Sequence, residues 1–122
     1  MTAPDFRKNS SGYDTNFGAS RFYGFGAALT RVTGDVALDR SYRGGIILFD
    51  SSSGGTITLP ANLPAGFNVS VIQINAGQAT IAPGAGAVLQ SQQGFTKTAG
   101  QWAMLGVVAH DSGVFTLVGN GA

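Results

Sequence analysis

Beyond Asp50 the chain carries only two formally charged side chains, Lys97 and Asp111. A helix on the surface of a soluble domain needs a polar outer face, built mostly from Glu, Lys and Arg. This chain has no glutamate, 11% charged residues and nineteen glycines in 122 positions. Soluble domains ordinarily hold about 25% charged residues and about 7% glycine. Hydrophobic residues still reach 43%, so the chain is not a polar disordered segment. These properties argue against a helical protein. They predict β structure with many tight turns, much of its surface covered by partners.

The remaining composition narrows the function classes. A net charge of +1 provides no electrostatic footprint for nucleic acid or for an anionic membrane. With no cysteine there are no disulfides, zinc ribbons, iron–sulfur sites or thiol catalysis. No apolar run approaches the roughly 20 residues that span a bilayer. Residues 1–8 lack the apolar core of a secretory signal, so the expectation is a protein made in a cytoplasm that remains soluble or joins an assembly there.

Charge divides the chain in two. All its charged residues except Lys97 and Asp111 lie in residues 1–50. Residues 1–33 mix Asn, Ser and Gly with aromatic rings and show neither a helical nor a strand period. Such a stretch cannot bury its rings by folding on itself. It is either a loose terminus or an extended arm that lays its rings and arginines on a neighbouring subunit. In the second case Phe6, Arg7, Tyr13, Phe17, Arg21, Phe22, Tyr23 and Phe25 are the partner-binding residues.

From residue 34 the text turns to short β-type runs between turn signals. Strands are expected near 36–38, 46–49, 56–59, 68–74, 79–82, 87–90, 95–97, 101–109 and 114–118. The separators, such as Asp50-Ser-Ser-Ser-Gly-Gly55 and Pro83-Gly-Ala-Gly86, are rich in residues that favour turns. In the run 68–74, Val69, Val71 and Gln73 share one face while Ser70, Ile72 and Ile74 share the other, as in a strand covered on both sides. The same doubling recurs at 115–118. Eight or nine short strands predict an all-β, compact β-sandwich or jelly-roll-like domain over 34–122, with an extended N-terminal arm over 1–33. No fixed internal period is evident, which argues against a solenoid.

The search for chemistry is largely negative. His110 and Asp111 are adjacent at the end of a strand, with no nucleophile elbow to serve, and read as a solvated turn pair. No paired carboxylates, metal-ligand spacing, P-loop or dinucleotide fingerprint is present. No catalytic residue, metal or cofactor is expected.

The blocks Gly55-Thr-Ile-Thr-Leu-Pro-Ala-Asn-Leu-Pro-Ala-Gly-Phe67, Val69-Ser-Val-Ile-Gln-Ile74, Gly77-Gln-Ala-Thr-Ile-Ala-Pro-Gly-Ala-Gly86 and Gly94-Phe-Thr-Lys-Thr-Ala-Gly-Gln-Trp-Ala103, closed by Val114-Phe-Thr-Leu-Val118, resemble a recurrent module of tailed-bacteriophage virion proteins. Similar text occurs at the C-termini of tail fibres and in small capsid decoration, or cement, proteins. The resemblance covers about residues 44–122 and implies a small, commonly trimeric β domain with no catalytic residues. It leads to the expectation of a homotrimeric decoration protein in the virion, bound by its arm to the major capsid protein or another virion protein. The length favours this over a fibre, because no room is left for a shaft. The alternative is a fibre tip that recognises a host glycan through Trp102, Tyr42, Phe95 and side-chain amides. Trp102 is otherwise expected as a core residue of a strand. Gln73, Gln78, Gln90, Gln92, Gln93 and Gln101 are either uncharged interface groups or ordinary solvated amides.

Overall fold

A computed structural model describes residues 26–122. The described residues are all-β, with nine strands and a single 3-10 turn at Arg40–Tyr42. In chain order the strands are β1 (Leu29–Val32), β2 (Val36–Ala37), β3 (Ile46–Phe49), β4 (Gly55–Leu59), β5 (Asn68–Gln73), β6 (Ala79–Pro83), β7 (Val88–Ser91), β8 (Met104–Asp111) and β9 (Val114–Gly119). They form a six-stranded sheet, in the order β1-β3-β5-β8-β9-β7, and a three-stranded sheet, in the order β2-β4-β6.

The chain alternates between the sheets, and each return lies parallel to the strand before it. β1, β3 and β5 are parallel in the first sheet, and β2, β4 and β6 are parallel in the second. This is coil-on-coil stacking, the plan of a short β-solenoid. The jelly-roll expectation is therefore corrected, because that fold is built from antiparallel Greek keys. The second rise has the same sequence offset in both sheets, with Ile46 opposite Ser70 and Gly55 opposite Ala79. The first rise is shorter, and unequal between the sheets, with Leu29 opposite Ile46 and Val36 opposite Ile57. Unequal loops hide the coils from any search for a fixed period, so the expectation against a solenoid is overturned as well. Leu29–Val32 also falls inside the stretch read as arm, yet is a strand of the sheet.

The far end is closed differently. β8 runs antiparallel to both β5 and β9, while β7 joins β9 in parallel. The free edge of β6 is covered by an antiparallel bridge between Thr80 and Lys97, with Ile81 N–H donating to the Thr96 carbonyl (2.7 Å). The expected strand at 95–97 is thus present only as this short edge contact.

Strand alternation places one apolar set between the sheets. Ile47, Val71 and Leu105 align across β3, β5 and β8, and Ile57 sits between Val36 and Ile81 in the smaller sheet. All but Val36 are essentially inaccessible. Where the coils turn, backbone touches backbone. Gly77 N–H donates to the Ser51 carbonyl (2.9 Å), and a Cβ at Gly77 would overlap the backbone of Gly54, so only glycine fits.

Ile57→Ala should lower unfolding stability by about 2–5 kcal/mol, because it opens a cavity in a stack with no solvent access. Thr58→Ala, on the outer side of the same strand, should change it by less than about 0.5 kcal/mol. Urea unfolding of both variants checks the pair.

Candidate functional site, the outer face of the six-stranded sheet

The same alternation that fills the core sends every second side chain outward. On the smaller sheet the outward residues are Thr56, Thr58, Thr80 and Ala82, small or polar as a solvated face requires. The six-stranded sheet departs from that rule. One row across its outer face is Arg31, Leu48, Ile72 and Met104. The next is Leu29, Ile46, Ser70, Gly106 and Val118, and a third holds Asn68, Val108 and Thr116. Leu29, Met104, Val108 and Val118 are all exposed, as is Val88 on the edge strand β7. Single exposed apolar residues are ordinary, but aligned rows of them are not.

Charge is nearly absent from this face among the described residues. Arg31, at one corner, lies 2.5 Å from the Asp50 carboxylate. The other Asp50 oxygen accepts from the Asn75 amide at 2.9 Å. These contacts, Asn75 first and Arg31 next, hold the Asp50 carboxyl below the usual carboxylate range. At the opposite end, His110 Nδ1 lies 2.9 Å from Thr116 Oγ1 across a register shift in the β8–β9 pair. The Asp111 carboxylate accepts from the Ser112 N–H in the hairpin turn (2.8 Å).

Trp102 stands two residues before β8 and is 69% exposed. The expectation of a core residue is corrected here. The strand begins at Met104 rather than at 101, and Gln101–Trp102 form a turn whose Trp102 φ is 73°. A left-handed bulky residue costs about 1–3 kcal/mol, held here by a 2.6 Å hydrogen bond from its N–H to the Gln73 carbonyl. Of the other two aromatic residues of the glycan alternative, Tyr42 lies near the opposite end of β5. Tyr42 packs against the core beside Gly44, whose N–H reaches the carbonyl of Asn68, the first residue of β5, whereas Trp102 meets its last. Phe95 is also packed on the core and, with Gln92 and Gln93, lines an open cleft of about 220 Å³ beside Val118.

The glutamines separate too. Gln90, Gln92, Gln93 and Gln101 are exposed, Gln78 is half-buried, and Gln73 is fully buried. Phe6, Arg7, Tyr13, Phe17, Arg21, Phe22, Tyr23 and Phe25 lie outside the described residues. Among the described residues no group of three or more His or Asp side chains could hold a metal, and no helix is long and apolar enough to cross a membrane.

The face itself was only half visible in the sequence. The signal was a run in which both alternate sets are apolar, as in 68–74 and 115–118; Met104–Ala109 carries it as well. No family model matches the chain, and no curated protein matches it.

Asp50 titrates below its unfolded value of about 3.9, so its stabilising contacts are complete above that pH and are lost as pH falls through the lower, folded value. Asp39, whose carboxylate is held down by the Ser41 hydroxyl and then by the Ser41 N–H, acts in the same direction. The thermal midpoint should be nearly flat between about pH 5 and pH 8 and decline below about pH 4. Asp50→Asn should make that acid decline shallower, as read by circular dichroism melts across the series.

Proposed function

We propose that the protein is a decoration protein of a tailed-bacteriophage capsid. In this reading it is a homotrimer on the outer face of the shell, assembled in the host cytoplasm and resident in the virion. The carrying observation is the outer face of the six-stranded sheet, which is apolar and nearly free of charge, a poor exterior for a solitary protein and a suitable one for an assembled subunit. The resemblance of residues 44–122 to virion modules supports the same class. Neither catalysis nor a cofactor is assigned.

Attachment to the shell falls to the N-terminal residues. Ahead of the described domain, positions 1–25 hold Phe6, Tyr13, Phe17, Phe22, Tyr23 and Phe25 together with Arg7 and Arg21, the types that dominate interface hot spots. An extended stretch of that length reaches up to about 85 Å, enough to cross a neighbouring capsid subunit. Three such segments per trimer would bind with a high effective concentration.

A second reading, a fibre tip that binds a host glycan, is favoured by one observation. Trp102 holds an exposed ring on a strained backbone, and sugars stack on such rings. Saturable binding to a glycan array, lost in Trp102→Ala, would replace the decoration reading with this one.

Deleting residues 1–25 should leave a folded domain that no longer co-sediments with capsid shells. In the full chain, Phe22→Ala with Tyr23→Ala should weaken shell binding by a few kcal/mol, on the order of typical hot-spot losses. Lys97→Ala should change it by less than about 0.5 kcal/mol. Undiminished binding by the truncated protein would remove the N-terminal segment from the attachment.

A further inference from the structure

We infer that copies of this chain meet one another through the outer face of the six-stranded sheet. The inference rests on the homo-oligomeric part of the function proposed above and is independent of what the assembly attaches to.

The contrast between the two outer faces is the first support. Both sheets obey the same alternation, yet one presents Thr56, Thr58, Thr80 and Ala82 outward and the other presents Leu48, Ile72, Met104 and Val108. A chain that had to keep both faces in water would have no reason to differ between them. The second support is charge, and it selects the occupant. Around the threefold axis of the proposed trimer every copy brings the same residues to the centre, so an unpaired charge there meets its own sign in a poorly solvated contact. Among the described residues of this face the permanent charges stand at its two ends, Arg31 paired with Asp50 at one corner and Asp111 beside the β8–β9 hairpin at the other, and the rows between them carry none. A partner of different sequence would impose no such requirement.

Relief on the face supplies the third. Ser70 and Gly106 lie opposite each other in the middle row, and the Val118 side chain leans over Gly106, 3.2 Å from where a Cβ would stand. On one side stand Ile72 and Met104, on the other Val108. Only the small Ser70 interrupts these apolar rows near the middle, so the face is a nearly continuous apolar relief on which the side chains of another copy can seat. The size is adequate as well. Six strands at about 4.8 Å and about five residues at about 3.3 Å give on the order of 500 Å² in plan. The pleated, side-chain-bearing surface is larger than its plan, and a contact spread over most of it would approach the roughly 800 Å² that each partner gives to a standard interface.

The test is the mass of the full-length protein in solution, by light scattering and sedimentation equilibrium. Wild type should show a multiple of 12.4 kDa, and Met104→Lys with Val108→Lys should fall to that single-chain mass with an unchanged circular dichroism spectrum. Thr58→Lys, on the other sheet's outer face, should keep the wild-type mass. A single-chain mass for wild type at about 100 µM, far above the affinity range of a stable interface, would overturn the inference. So would an oligomer that survives the double substitution, or a mass that falls on replacing Phe22 and Tyr23 instead. Single chains that still sediment with shells would overturn this inference together with the homotrimer, and leave shell decoration standing. Intact oligomers that ignore shells would overturn the decoration reading alone.

Discussion

The Gln73 side chain, fully buried where β5 ends, ties the two sheets together by hydrogen bonds that nothing else in the core could supply. Its amide nitrogen donates to the Asn75 carbonyl at 2.8 Å, and its oxygen accepts from the Thr98 hydroxyl at 2.5 Å. That hydroxyl in turn accepts from the N–H of Ala79, the first residue of β6. One amide thus joins the end of a strand in the larger sheet, the corner that follows, the segment covering the β6 edge, and the smaller sheet. Gln73 occupies the position where Val32 and Phe49 stack in the two preceding coils. An apolar side chain there would continue the stack but leave the Thr98 hydroxyl without its acceptor, a loss of about 1–3 kcal/mol for a buried group. The corner explains why the coils stop at three in the larger sheet. Past it the chain needs a different kind of closure, and the antiparallel pair β8–β9 supplies it.

This closed block has unequal sides. The smaller sheet turns threonines to the solvent, the capped end uses up its edge groups on residues 96–98 and 120–122, and the larger sheet keeps a wide apolar face. A rigid β block suits a subunit that must hold its shape while bound, because stacked coils bury backbone groups in ladders rather than in mobile loops. In the proposed role the block contacts its own copies and the N-terminal residues contact the shell. The division of charge along the chain fits that sharing of tasks, since ionic groups are costly inside a contact between copies and useful at the ends of a reaching segment.

Much of the fold was legible residue by residue. Ile46–Phe49 was expected and found with the same bounds, and β4, β5, β6, β7 and β9 lie within a residue or two of expectation. The pairing of inward Val69, Val71 and Gln73 against outward Ser70 and Ile72 was legible too. Other features were not. Leu29–Val32 offers only a short run, with Thr30 turned inward beside Val32, and becomes a strand only because β3 lies beside it. The exposure of Trp102 depends on a left-handed turn that no residue preference announces, because tryptophan disfavours it.

From the sequence alone came the β class, the strand positions and the scarcity of charge after Asp50. All three follow from local rules, since alternation, turn chemistry and side-chain type act within a few residues of one another. Only the tertiary structure decided that the strands stack in parallel coils rather than in Greek keys, and that Leu29, Met104, Val108 and Val118 share one surface. The reason is that an alternating strand pairs equally well with a parallel or an antiparallel neighbour. The choice is made a full coil away along the chain, through loop lengths and the Gly77 and Gln73 contacts that let one coil settle on the last.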